Sequence, residues 1–272
     1  MTAMGDSAAA SERSEIGSRV RAFALRSYGI LICRLALLAI VLGYWQFGTS
    51  KKVQFWTSTP YEIFEKLADW IIGGTLWLHL GATLTAMTLG YLTGCVVGIA
   101  SGLVLGFWPR VNRLLSPFIA GLYALPKIAL APLFIIMLGI GLESKVALVA
   151  LTVFFLLLNS TRDGVRDVDE DLLITLKLMG STSREAVQLV VLPATLPWIF
   201  TGMRISVRYA FTGTLLAELI GSNKGIGYLI ESSSGNFDAT GAYAGIVVLI
   251  VFSVTMTEVL SLIEKRLDYR LV

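Results

Sequence analysis

The chain has 272 residues, of which 55% are hydrophobic and only 15% charged, with a mean hydropathy of +0.74. That is too apolar for a soluble domain and marks a polytopic membrane protein. A net charge of +3 gives no sequence-wide attraction to nucleic acid, and Cys33, Cys95 and the single histidine, His79, form no CxxC or His/Cys cluster, so a metal site and a disulfide framework are not expected.

Residues 1–27 are rich in Ala, Ser, Arg and Glu without an apolar period and predict a disordered tail. The first apolar run, 30–47, follows that polar tail and ends in YWQFGTS, with no small-x-small cleavage site. It reads as a retained span rather than a signal peptide, with Arg34 able to snorkel to the interface. The interval 48–75 contains Thr59-Pro60-Tyr61-Glu62, an N-cap, a proline at the first helical position and a capping glutamate, followed by Ile63, Phe64, Leu67, Trp70 and Ile71 on one face. This predicts a short amphipathic helix on the membrane surface.

The second span, about 77–107, carries Gly90, Gly94, Gly98, Gly102 and Gly106 at strict four-residue spacing, a smooth face for close helix packing. Two readings stay open: packing inside one subunit, or a dimer seam. After the basic turn 107–113, the third span, about 115–138, is interrupted by Pro126, Lys127 and Pro132; a broken, charged helix usually lines a pathway. A fourth span, about 142–160, follows the turn Gly139-Ile140-Gly141.

The longest polar-rich interval is DEDLLITLKLMGSTSREAVQLVVLPATLP, 169–197. Asp169, Glu170 and Asp171 precede Leu172, Leu173, Leu176 and Met179 at helical spacing, with Lys177 toward the far end, charges that suit a helix dipole. Gly180 supplies a stop, Thr182 and Glu185 a capping box, and Ala186, Leu189 and Val190 a second amphipathic face expected to end at Pro193. The prediction is helix, glycine turn, helix: a rigid knob that a soluble partner could grip. The fifth span is placed at about 198–220 and the sixth at about 241–263, with 223–228 (NKGIGY) between them as a re-entrant turn on the outer side.

Six spans put both termini on one side. With the tail taken as cytoplasmic, fourteen basic residues fall there: Arg13, Arg19, Arg21, Arg26, Arg34, Arg110, Arg113, Arg162, Arg166, Lys177, Arg184, Lys265, Arg266 and Arg270. Only Lys51, Lys52, Lys66, Lys145 and Lys224 fall opposite. The positive-inside rule therefore places the knob in the cytoplasm. No phosphate-cradling loop, H-E-x-x-H or G-x-S-x-G occurs, so the chain itself is not expected to be an enzyme, and nucleotide hydrolysis would need another subunit.

From about residue 76 to 258 the sequence resembles the membrane permease of bacterial ABC importers of the nitrate, sulfonate and taurine type. The resemblance is carried by LHLGATL (78–84), LYALPKIALAPLFIIMLGIG (122–141), LPATLPWIFTGMRISVRYAF (192–211) and AELIGSNKGIGYLI (217–230). The family's cytoplasmic loop has an E-A-A tripeptide, three residues, a glycine, nine residues, then I-x-L-P. Here Gly180, Val190, Leu192 and Pro193 hold the later positions, whereas Ile174, Thr175 and Leu176 stand at the tripeptide.

The resemblance implies an all-α type I importer permease fold with six transmembrane helices, residues 28–272 forming the permease and 161–193 its coupling loop. It implies a bacterial inner-membrane location, a permease homodimer, cytoplasmic ABC ATPase subunits that bind ATP and Mg, and a periplasmic or lipid-anchored substrate-binding protein. The solute would be small and anionic or zwitterionic. Coupling would run through Leu178, Met179, Gly180, Ser181, Thr182, Ser183, Arg184, Glu185 and Val187.

Lys127, Arg204, Arg208 and Glu218 would each cost about 2.5–3.5 kcal/mol at a bilayer centre, so they are expected to face protein or water and are the candidates for the translocation pathway. Arg204 and Arg208 share a helix face and read either as interfacial anchors or as a cationic path; Glu218 is expected to meet a basic partner. An autonomous secondary transporter or channel is the competing function, and a membrane enzyme a distant third.

Overall fold

The computed structural model describes residues 32–48 and 56–271, with side chains placed up to residue 262 except at 260. The expected tail, 1–27, and Lys51, Lys52, Lys265, Arg266 and Arg270 lie outside those residues or side chains. The chain divides into two compact units, 1–64 and 65–272.

In the first unit, α1 (Ile32–Gly48) is the first apolar run, seventeen residues long. Helix α2 (Pro60–Ile72) begins in this unit at the expected cap: Glu62 N–H donates to Thr59 Oγ1 at 3.4 Å while Thr59 N–H donates to Glu62 Oε2 at 3.2 Å. Gln46 of α1 accepts from the Tyr61 N–H at 3.0 Å, satisfying another of the donors that a helix start leaves free.

The second unit is built on α3 (Thr75–Phe107), α4 (Pro109–Ala124), a 3-10 turn (Lys127–Leu130), α5 (Ala131–Leu138) and α6 (Leu142–Arg166). It continues through α7 (Glu170–Leu178), α8 (Ser183–Ala186), a π turn (Val187–Val191), α9 (Leu192–Ile220), α10 (Ile226–Gly235) and α11 (Ala239–Leu271). Among the described residues four helices are long and apolar enough to span a bilayer. The pair α4 and 3-10/α5, bent by 87°, makes a fifth if it counts as one broken span. The break falls at Pro126, whose ring cannot continue a helix and pushes Leu125 into an extended conformation at ψ 136°. Helix α1 is shorter than a span, so the described residues hold four crossings, or five with the bent pair, against the six expected.

The glycine face is filled from within the subunit. A Cβ on Gly90, Gly94, Gly102 or Gly106 would lie 2.5–2.7 Å from Val149, Val153, Thr161 and Val165 respectively, and one on Gly98 would lie 2.8 Å from the Phe154 carbonyl and 3.0 Å from Leu157. Both rows advance by four in the same direction, so α3 and α6 run parallel with one helix's ridge seated on the other's bare backbone. This removes the dimer-seam reading of the stripe. Helix α9 lies antiparallel against α6, since Gly202 meets Ser160 while Gly213 meets Val149. The three helices share a core of Met87, Cys95, Val149, Val153, Leu157 and Ala210.

Two expectations are corrected. Pro193 does not end the second knob helix: residues Ser183–Ile220 form one 38-residue helical rod. The backbone widens into a π turn, with Leu192 N–H donating to the Val187 carbonyl, immediately before the proline. That widening relaxes the ladder where Pro193 supplies no N–H. Residues 226–228, expected within the re-entrant turn at 223–228, instead open the helix α10.

Candidate functional site

The rod from Ser183 to Ile220 carries a distinct constellation at each end. At its N-terminal end is the predicted knob. Asp169 caps α7, accepting from Asp171 N–H at 2.9 Å. The helix stops in two crossed hydrogen bonds: Ser181 N–H donates to the Leu176 carbonyl and Gly180 N–H to the Lys177 carbonyl, both at 3.0 Å. Gly180 stands at φ +86°, a left-handed turn that glycine adopts without the Cβ penalty other residues incur. Thr182 then starts α8 with a reciprocal box, Glu185 Oε2 accepting from Thr182 N–H at 2.7 Å and Thr182 Oγ1 from Glu185 N–H at 3.3 Å.

These caps fix a tight corner whose apex is apolar and open. Leu178 is 84% and Met179 78% exposed, and Leu189, on the rod, is also exposed. Thr182, Ser183, Arg184 and Glu185 are exposed around it, while Ser181 and Val187 are half-buried. Of the predicted α7 face, Leu173 and Leu176 are half-buried and Leu172 is exposed. At the tripeptide positions Ile174 and Thr175 are exposed and Leu176 is not.

At the far end of the rod is a buried polar cluster. Glu218 is 1% and Lys145 3% exposed; the Lys145 ammonium reaches Glu218 Oε1 at 3.3 Å and donates to the Lys224 carbonyl at 2.8 Å. The Gly227 N–H donates to Glu218 Oε2 at 3.1 Å, and Thr83 Oγ1 lies 2.9 Å from the same oxygen. Thr83 Oγ1 also accepts from the Ile226 N–H at 3.0 Å, and His79 Nδ1 accepts from the Gly225 N–H at 2.9 Å, so this ring is in its Nε2-protonated tautomer. His79 stacks on Tyr228 with 5.6 Å between ring centroids. Each member of this buried ion pair has further hydrogen-bond partners besides the other, and removing one partner of such a pair costs about 3–5 kcal/mol.

Gly225 and Gly227 allow close approach to Glu218. A Cβ on Gly227 would lie 2.7 Å from Glu218 Cβ and from the Leu215 carbonyl; one on Gly225, at φ +128°, would collide with the Glu218 carboxyl. Lys145, counted in the sequence as a charge on the outer side, is thus an interior group. Sequence reasoning gave Glu218 a basic partner without identifying it, and missed Thr83 and His79. The available signal was the pairing of Glu218 with G-I-G seven to nine residues on.

The remaining pathway candidates do not join this cluster. Lys127 sits at the 87° break, donating to the Tyr123 carbonyl at 2.7 Å with its ammonium 4.3 Å from the Tyr123 ring centre and 5.6 Å from that of Phe155. Arg208 is exposed and Arg204 half-buried on α9.

Residues 90–270 match the family described as binding-protein-dependent transport system inner membrane component. A Bacillus subtilis (strain 168) protein named as an aliphatic sulfonates transport permease is 32% identical over 235 residues, 86% of this chain and 85% of that one. The taurine transport system permease of Escherichia coli (strain K12) is 30% identical over 249 residues, 89% and 90% of the two chains. Among solved structures, an inward-facing methionine ABC transporter superposes with a TM-score of 0.57 at 18% identity, covering 67% of this chain and 91% of that one, a likeness of fold.

Proposed function

Because this chain belongs to the family of binding-protein-dependent transport system inner membrane components, and is a permease subunit of an ATP-driven importer, we propose that its solute is a small anionic or zwitterionic compound such as a sulfonate or taurine. The names of its relatives support that solute class. The permease carries no chemistry of its own in this reading; a separate ABC ATPase binds ATP and Mg and hydrolyses the nucleotide, and a substrate-binding protein delivers the solute. Two copies of the permease frame the route. The knob faces the cytoplasm, as the basic residues near it favour, and both termini share that side.

The observation that carries the coupling role is the exposure of Leu178 and Met179 at a corner held by caps on both sides. Large apolar side chains on a preorganised polar-rimmed corner bury well in a groove of a partner with little entropy to lose. Ser183, Arg184 and Glu185 form the polar rim, and Gly180 sets the corner's angle. Ile174, exposed where the family has its glutamate, makes the α7 side of the contact more apolar. ATP-driven closure of the ATPase pair then moves the rod as a rigid body. Lys127, beside its aromatic rings at the helix break, and Arg208 with Arg204 on α9 supply cations for an anionic solute along the way.

Gly180→Val tests the coupling role. A β-branched residue at φ +86° is strained wherever it stands, so the corner must change while the spans do not. Membrane insertion is expected to persist and stimulation of ATP turnover by loaded binding protein to vanish in the assembled complex. Full stimulation would overturn the assignment.

A further inference from the structure

Glu218 was a pathway candidate by its charge, yet the structure leaves it no open face. Its carboxylate is enclosed by an ammonium from α6, a hydroxyl from α3 and an N–H from the first turn of α10. It therefore joins the ends of three spans to the short segment that crosses over them. The same segment is held by two further backbone donors, Gly225 N–H on His79 and Ile226 N–H on Thr83, and by the Lys224 carbonyl on Lys145. Glu218 lies two residues from the end of the 38-residue rod whose other end begins at Ser183 in the knob. At 1.5 Å per residue, the rod spans about 57 Å.

We propose that Glu218, with Lys145, Thr83 and His79, is a positioning device that staples the 221–235 segment to the far end of the rod, so that this segment moves with the knob-bearing helix instead of opening as an independent flap. Glu218 does not contact solute in this account. The inference rests on the reading that the knob is driven by an ATPase, and concerns what that movement carries at the opposite end. Several features favour one rigid body over a hinge. Every polar side chain of the cluster is hydrogen-bonded, the ion pair is fully enclosed, and Gly225 and Gly227 remove side chains so that the loop backbone can seat directly on Glu218. A segment that lifted away each cycle would strip the Glu218–Lys145 pair of the Gly227 N–H and the Lys224 carbonyl, and would take the Gly225 and Ile226 N–H groups from their acceptors on His79 and Thr83.

The test uses the complete complex of permease, ATPase and binding protein in lipid nanodiscs. His79→Cys and Tyr228→Cys, at positions whose rings stack, are introduced in a chain whose Cys33 and Cys95 are replaced by alanine, and bridged with a short bis-methanethiosulfonate. Uptake and stimulated ATP turnover are compared before and after bridging in the same protein. The His79→Cys change itself removes the acceptor for the Gly225 N–H, and the bridge replaces that contact, so bridging is expected to hold both at or above their unbridged level, because the two elements do not separate. Loss of tenfold or more on bridging, restored by reduction, would overturn the proposal.

In a second arm, Lys145→Met is expected to lower solute moved per ATP at least tenfold, and the covalent bridge is expected to restore it. A bridge that fails to restore coupling in a correctly assembled Lys145→Met complex would show that the pair acts on solute or elsewhere, and would also overturn the proposal. Should Lys145→Met fail to assemble, the bridged complex with Lys145 intact decides alone. A wrong assignment of the knob appears separately, as retained stimulation in Gly180→Val.

Discussion

Replacing Gly94 by alanine adds one methyl group to the face where α3 meets α6. The new Cβ would stand 2.7 Å from the Ala150 carbonyl oxygen and 2.7 Å from Val153 Cβ. Neither is the far end of a flexible chain, so the helices themselves must part. Overpacking of this kind costs about 1–3 kcal/mol, while any glycine-to-alanine change inside a helix returns about 0.5–1 kcal/mol of backbone entropy. Gly81 on the same helix supplies the control, because a Cβ there meets nothing within 4 Å. Comparing Gly94→Ala with Gly81→Ala cancels the entropy gain and isolates the packing cost. At about 2–4 °C per kcal/mol for a chain of this size, the two variants should differ in Tm by about 2–12 °C, with Gly94→Ala the lower. The assay is thermal unfolding of the detergent-solubilised permease. Equal midpoints, or a higher one for Gly94→Ala, would refute the parallel glycine-on-valine packing of α3 and α6.

Other outcomes follow from the caps. Thr182→Ala removes the side-chain acceptor for the Glu185 N–H and should destabilise the knob by about 1 kcal/mol, read as faster proteolysis within residues 170–190 while the spans stay protected. Asp238 caps α11 by accepting from the Gly241 N–H at 2.9 Å and pairs with Lys66 at 3.0 Å. Burial pushes its carboxyl up, but the Gly241 N–H and the Lys66 ammonium together hold it below the ordinary aspartate range. Its contribution is therefore fully present above the ordinary aspartate pKa and is lost as pH falls through the lower folded value. Asp238→Asn should lower Tm at neutral pH, and the gap to the parent protein should close on acidification below the ordinary aspartate range; a gap that widens would contradict this sign.

Local signals in the sequence read true where one residue type decides the backbone. The Thr59/Glu62 and Thr182/Glu185 boxes, the Gly180 stop and the break at Pro126 each follow from a single donor, acceptor or ring that acts within four residues. The glycine row announced close packing but could not name its partner, since the complementary row at Val149, Val153, Leu157, Thr161 and Val165 is one of several apolar faces and only the fold selects it. Pro193 misled for the converse reason: a helix can continue past a proline when the turn before it widens, and nothing in LVVLPATLP signals a π turn. The cluster around Glu218 was the least legible, because Thr83, Lys145 and Glu218 are brought together from three separate spans. The knob's chemistry, in contrast, was visible as an apolar pair next to a capped glycine, though its degree of exposure was not.

In the proposed function the corner at Leu178 and Met179 seats in an ATPase subunit. A photo-reactive benzophenone side chain placed at position 179 of the permease, in membranes containing the assembled complex, tests it directly. Illumination should give an adduct between permease and ATPase, and the same probe at Ile136, which is 82% exposed on α5 well away from the knob, should give none. Adducts at position 179 only with lipid or with another permease, in a complex that still hydrolyses ATP in response to loaded binding protein, would contradict it.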